Sequence, residues 1–141
     1  MSTIIEARQH VFLFRPRFIG PIQTGTKRQT IRGPRKRRVM AGDRFSLRHW
    51  EDKAYRSPQI KIASATALLP LVVELTPSRV RVAGRNWMHQ VQELDGFAVS
   101  DGFRDWDDMR EFWRETHGGS RFRFLGTLYP WLPTRHEDFT P

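Results

Sequence analysis

Cysteine is absent from the 141-residue chain. That absence removes disulfide staples, thiolate metal ligation and a cysteine nucleophile together. The five histidines, His10, His49, His89, His117 and His136, lack the paired spacing of zinc motifs. No metal and no cofactor is therefore expected. Also missing are a Gly-x-Ser-x-Gly elbow, a phosphate-binding P-loop and a dinucleotide fingerprint. No apolar run approaches the length of a membrane span, and Glu6, Arg8 and His10 interrupt the N-terminal stretch where a signal peptide needs its apolar core. The expectation is a protein without membrane contact, cytoplasmic by default. Internal repeats and extended low-complexity linkers are absent as well.

What the sequence has in excess is positive charge. Lys and Arg number 24 against 15 Asp and Glu, a formal net charge of +9, which favours polyanionic partners and fast encounter with them. Hydrophobic residues make up 38% and charged residues 28%, enough apolar content for a packed interior. The length suits a single domain over residues 1–141, with a core at about 11–129 and a loosely ordered tail at about 130–141, where three further prolines and mixed charge follow.

Short strand signals dominate the chain. Val11–Phe14 is an apolar run too brief for a helix, and Arg44–Trp50 alternates Phe45 and Leu47 with Arg44, Ser46 and Arg48. Further runs cover Gln59–Ala65, Leu71–Leu75, Val80–Val82 and Phe122–Tyr129. Phe18–Thr24, with Pro21 near its start and Gly25 after its end, reads as a short helical turn. A clear helix spans about Asp105–Thr116, where Trp106, Met109 and Trp113 form a stripe widened by Phe112. Asp107 and Asp108 in its first turn and Arg114 in its last match the helix dipole and need no catalytic explanation. A weaker helix covers about Trp87–Ala98, with Trp87, Val91, Leu94 and Ala98 in register and Asp95 and Gly96 interrupting it. Many short strands with two helices point to an α+β fold built on a small β-barrel.

Gly25-Thr26-Lys27-Arg28-Gln29-Thr30-Ile31-Arg32 is the most informative segment. As a strand, Gln29–Arg32 sends Ile31 inward and places Thr30 and Arg32 on the opposite face. Gly25 eases a turn from which Lys27 can converge with Thr30 on one pocket. The plain alternative is that Lys27 and Arg32 form an exposed charged rim and that Thr30 is an ordinary β-former. Residues 33–38, Gly-Pro-Arg-Lys-Arg-Arg, have no apolar period and read as an exposed loop. Arg35, Lys36, Arg37 and Arg38 could there contact phosphates without sequence specificity, or simply be solvated. Trp50, Tyr55 and Trp87 are candidate stacking surfaces for bases, although most of the ten Phe, five Trp and two Tyr must build the core.

The pattern Gly-x-Lys-x-x-Thr-Ile-Arg, followed by Val39-Met40-Ala41-Gly42-Asp43 and later by Ala98-Val99-Ser100-Asp101-Gly102-Phe103, resembles the ASCH family of the PUA-like superfamily in order and spacing. The matches span most of residues 11–129. The resemblance implies a small PUA-like β-barrel with flanking helices and a basic cleft that binds RNA, DNA or a modified nucleotide, with RNA preferred to DNA. It implies Lys27, Thr30, Arg32 and Asp101 as the lining of that cleft. Some small ASCH proteins are amidohydrolases that deacetylate N4-acetylcytidine, and their Lys, Thr and acidic residue fall on Lys27, Thr30 and Asp101. In that reading Thr30 is the nucleophile, Lys27 accepts its proton and Asp101 carries a proton or orients the others. Asp101 stands where those enzymes have glutamate, a reach shorter by about one carbon–carbon bond, and misplacement by about 1 Å can cost about 100-fold in rate. Read alone, Asp101-Gly102 is a common turn pair before a helix. Ribonuclease activity and a protein-adaptor role are the remaining alternatives.

Overall fold

The computed structural model describes residues 6–133. Within them, seven strands and three α-helices make a mixed α+β fold. The chain runs β1 (Gln9–Leu13), α1 (Ile19–Gln23), β2 (Gln29–Arg32), β3 (Arg44–Trp50), β4 (Gln59–Thr66), β5 (Leu71–Leu75), β6 (Val80–Val82), α2 (Val91–Ser100), α3 (Trp106–Thr116) and β7 (Phe124–Pro130). The strands form two sheets, ordered β1-β3-β4 and β2-β7-β5-β6. β1 and β3 are parallel, whereas the other ladders are antiparallel.

The two sheets meet at one seam. Ala67 bridges Trp131, flanked by hydrogen bonds from Leu68 N to Pro130 O at 2.9 Å and from Leu132 N to Thr66 O at 3.0 Å. Between the sheets, Phe12, Phe45 and Tyr129 pack edge to face or tilted, with Phe12 4.9 Å from Phe45 and 5.3 Å from Tyr129. Leu47, Ala63, Val73, Leu75 and Val80 complete a fully buried centre. His10 joins the core through Asp43: its Nε2 lies 2.8 Å from Asp43 Oδ2, and Asp43 also accepts the backbone N–H groups of Met40 and Arg8. Burial pushes the Asp43 carboxyl up, but those three donors outweigh it and hold it below its ordinary value.

α3 forms where the stripe places it. Asp105 caps it by accepting Asp108 N at 2.9 Å, and Trp106, Met109 and Trp113 are buried. Each such side chain contributes roughly 1.5–3 kcal/mol of burial. α2 differs from expectation at both ends. Met88 exchanges two backbone hydrogen bonds with Val80, which holds the segment before α2 extended and delays the helix to Val91. Val91 is consequently exposed rather than part of the core, while Leu94 and Ala98 are buried as expected. Asp95 and Gly96 do not interrupt the helix, because the Asp95 carboxylate accepts Trp106 N at 2.9 Å and ties α2 to α3. The expected loose tail also needs correction at its start: β7 runs through Pro130, and Trp131 is buried in the core. Residues 134–141 of that tail lie outside the described residues.

Candidate functional site

Two local features bring distant residues together. Gly25, at φ 80°, ends α1 and turns the chain so that Lys27 N bonds Pro21 O at 2.9 Å. Arg28 N then bonds Ser100 O at 2.9 Å, docking the start of β2 on the end of α2. Asp101 is the residue that closes α2, and Gly102 at φ 95° reverses the chain behind it. A Cβ on Gly102 would lie 2.7 Å from Lys27 Cδ, so the lysine stem crosses directly over the glycine.

Lys27, Thr30, Arg32 and Asp101 consequently face one pocket of about 470 Å³, a volume within the usual range for small-molecule sites. Lys27 is 2% exposed, Asp101 4% and Thr30 5%, so the exposed-rim alternative is overturned for Lys27. Lys27 Nζ donates to the backbone oxygen of Asp101 at 2.5 Å and lies 3.7 Å from the carboxylate Oδ1. The same ammonium stands 4.7 Å from the Phe18 ring centre and 5.4 Å from that of Phe14. Arg32 Nε donates to Thr30 Oγ1 at 3.0 Å, and its Nη2 donates to Leu13 O at 2.8 Å.

The electrostatics follow from burial. Loss of water lowers the Lys27 ammonium to about 8; Asp101 pulls it back up, and Arg32 and Arg17 push it further down. Burial raises the Asp101 carboxyl to about 6 against the opposing pull of Lys27 and Arg32. Arg32 itself is lowered to about 10, first by burial and then by Arg35. Trp113 Nε1, at this pocket, is buried without a hydrogen-bond partner among the described residues, and Asp101 Oδ1 and the neighbouring Gln29 Nε2 make no hydrogen bond of ordinary geometry, although Gln29 and Lys27 lie close enough to the carboxyl to pull its pKa down against burial. A ligand with donors and acceptors could satisfy them.

The walls are aromatic, supplied by Phe14, Phe18, Phe103, Phe112, Trp113 and Phe124. His117 joins them, its ring 4.1 Å from Trp113, and burial and Arg15 lower its pKa. Sequence reasoning nominated none of these residues. Phe103 is marked in the sequence by its place directly after Asp101-Gly102, whereas the periodicity of Phe112 and Trp113 marks only the core stripe of α3.

Arg35, Lys36, Arg37 and Arg38 lie outside the pocket. Arg35 Nη2 donates to Val11 O at 3.1 Å and its guanidinium covers the Phe12 ring at 4.2 Å, so Arg35 is half-buried rather than free. Lys36, Arg37 and Arg38 are exposed, and none of the four forms an ion pair with a described residue. The nominated stacking aromatics separate too: Trp87 carries the guanidinium groups of Arg79 and Arg81 at 4.2 and 4.5 Å, while Trp50 and Tyr55 pair with each other beside the pocket. Among the described residues, no group of three or more His, Asp or Glu could hold a metal ion, and no helix is long and apolar enough to cross a membrane.

Comparison with protein-family models, curated proteins and solved structures finds no match to this chain.

Proposed function

We propose that the chain is an ASCH-type, PUA-like domain whose pocket takes a nucleobase-bearing ligand and removes an acyl group from it as an amidohydrolase. The observation that carries this reading is the buried Lys27–Asp101 pair in the same pocket as the Thr30 hydroxyl. A lysine that only contacts phosphate keeps its charge in water, whereas burying an ammonium at the floor of a pocket is costly and shifts its pKa toward neutrality. The paired sheets joined at Ala67–Trp131, with α2 and α3 beside the cleft, are compatible with an incompletely closed barrel.

Burial lowers the Lys27 ammonium to about 8, close enough to neutrality for the free amine to be within reach at pH 7. That neutral amine takes the Thr30 proton as Oγ1 attacks the acyl carbonyl carbon. The Arg32 guanidinium, already donating to Oγ1, favours the developing negative charge. When the carbon–nitrogen bond breaks, the leaving amine takes the proton from the Lys27 ammonium. Water then hydrolyses the Thr30 ester, releasing the carboxylic acid and restoring the hydroxyl. Asp101 orients Lys27 and can carry a proton between the two steps.

Incubation with N4-acetylcytidine, following release of cytidine, is the direct assay. Thr30→Ala and Lys27→Ala should each abolish most turnover, and the double variant should be little worse than either, because residues acting as one unit are strongly non-additive. No cytidine from the wild-type protein, with nucleoside or RNA still bound, would leave a binding domain without this hydrolysis. Such a domain is the second reading, and the exposed cations Lys36, Arg37 and Arg38, which form no ion pair with a described residue, favour it.

A further inference from the structure

We propose that a second depression beside the main pocket is a subsite for the neighbouring base of a single-stranded nucleic acid, so that the ligand is a nucleotide within a strand rather than a free nucleoside. The inference rests on the reading of the main pocket as a nucleobase site.

The depression has a volume of about 350 Å³ and shares the wall Leu13-Phe14-Arg15 with the main pocket. Its far side is made by Trp50 and Tyr55, whose ring centres are 5.1 Å apart at 49°. Tyr55 is 86% exposed and its backbone holds φ 63°, a left-handed conformation that bulky side chains rarely adopt. A core aromatic would be covered, and of the two non-glycine residues that hold a positive φ among the described residues, Tyr55 and Ala83, Tyr55 is the one with a bulky side chain. What the loop gains instead is an open aromatic face next to a half-buried tryptophan, a platform on which any base can stack.

Arg15 stands at the divide between the two hollows. It is exposed, forms no ion pair with a described residue, and its guanidinium lies 5.1 Å from the Phe112 ring on the main-pocket side. A strand with one base in each hollow must carry its phosphodiester across this divide, where the Arg15 cation, paired with no described carboxylate, awaits it. Asp52 is the acid in the second hollow. It repels phosphate from that end and can accept a hydrogen bond from the exocyclic amine of an adenine.

The experiment compares binding of cytidine with binding of the dinucleotides cytidylyl-adenosine and adenylyl-cytidine, by calorimetry at fixed salt. The expected result is that one of the two orders binds about 10-fold tighter than cytidine, the scale of one stacked base. Tyr55→Asn, which removes the ring and suits the left-handed backbone, should erase that gain and leave cytidine affinity unchanged; Tyr55→Phe should retain it. Arg15→Ala should weaken the dinucleotide more than the nucleoside. Cytidine binding with no advantage for either dinucleotide, or an advantage that survives Tyr55→Asn, overturns the subsite alone. Failure of all three to bind overturns both this inference and the nucleobase reading of the main pocket.

Discussion

The Lys27 ammonium is bonded at 2.5 Å to the main-chain oxygen of Asp101, yet it stands 3.7 Å from that residue's carboxylate. The carboxylate therefore acts on the lysine as an ion pair across a gap rather than at hydrogen-bond length. Asp101→Glu supplies the missing reach. The variant should raise N4-acetylcytidine turnover several-fold, since errors of about 1 Å in a catalytic group cost about 100-fold. Unchanged or lower turnover would mean that the pocket is built around aspartate.

The same pair sets a pH dependence of stability. Between about pH 8 and 10.5, the unfolded chain holds a Lys27 proton that the folded chain has released, so stability rises with pH there. Between 3.8 and about 6, the folded chain holds an Asp101 proton that the unfolded chain has lost, so stability falls as pH rises. The contribution of the two groups is thus least favourable between about pH 6 and 8. Relative to wild type, the double variant Lys27→Met/Asp101→Asn should gain most stability near pH 7 in urea titrations, and the gain should shrink toward pH 4 and above pH 10. A pH-independent difference would contradict the burial of both charges.

Gly102 carries no reactive group, yet its replacement should be felt at the reaction. Gly102→Ala forces a side chain into a left-handed turn, at a cost of about 1–2 kcal/mol, and drives Cβ into the Lys27 stem. A lower urea midpoint with turnover reduced more than the loss of folded protein explains is the expected outcome. Full turnover in the folded fraction would mean that Lys27 has room to move.

Basic-loop contacts should appear as salt dependence. For a single strand, each phosphate neutralised adds about 0.7 to the log–log slope, so replacing Arg35, Lys36, Arg37 and Arg38 by Ala should flatten it by roughly 2 to 3. An unchanged slope removes the loop from the interface. Arg35→Ala should in addition lower stability by about 1 kcal/mol, because its guanidinium covers Phe12.

Much of this architecture is legible in the sequence. Alternation locates β3 at Arg44–Trp50 and a short β-like run locates β5 at Leu71–Leu75 to the residue, and the Trp106, Met109, Trp113 stripe identifies the buried face of α3. β2 is where alternation is blind. Gln29, Thr30 and Ile31 are all buried, because one face of the strand meets the core and the other meets the pocket, and a period-two pattern presumes one wet face. The burial of Lys27 is hidden for the same reason: it depends on Phe14, Phe18 and Gly102, which lie elsewhere in the chain. The start of α2 is misread because the backbone pairing of Met88 with Val80 is non-local and leaves no mark on helical periodicity. The convergence of Lys27, Thr30 and Arg32, in contrast, is readable from the Gly25 turn and the strand face, whereas Asp101 joins them in the sequence only through the resemblance to the ASCH family.

Among the described residues β2 pairs only with β7, about a hundred positions later in the chain, since Gln29 pairs with Pro130 and Arg32 with Thr127. At synthesis rates of about 5–20 residues per second, the ribosome releases β2 several seconds before β7 exists. Through that interval a nascent segment of high β character has open edges on both sides. Its sequence, Arg28-Gln29-Thr30-Ile31-Arg32, bears a cation at each end, and four more follow at Arg35–Arg38. A neighbouring chain could not zip onto it in register without stacking like charges, the device by which gatekeeper residues suppress aggregation. Arg32, which lines the finished pocket, is thus also one of the charges that flank β2 until β7 arrives.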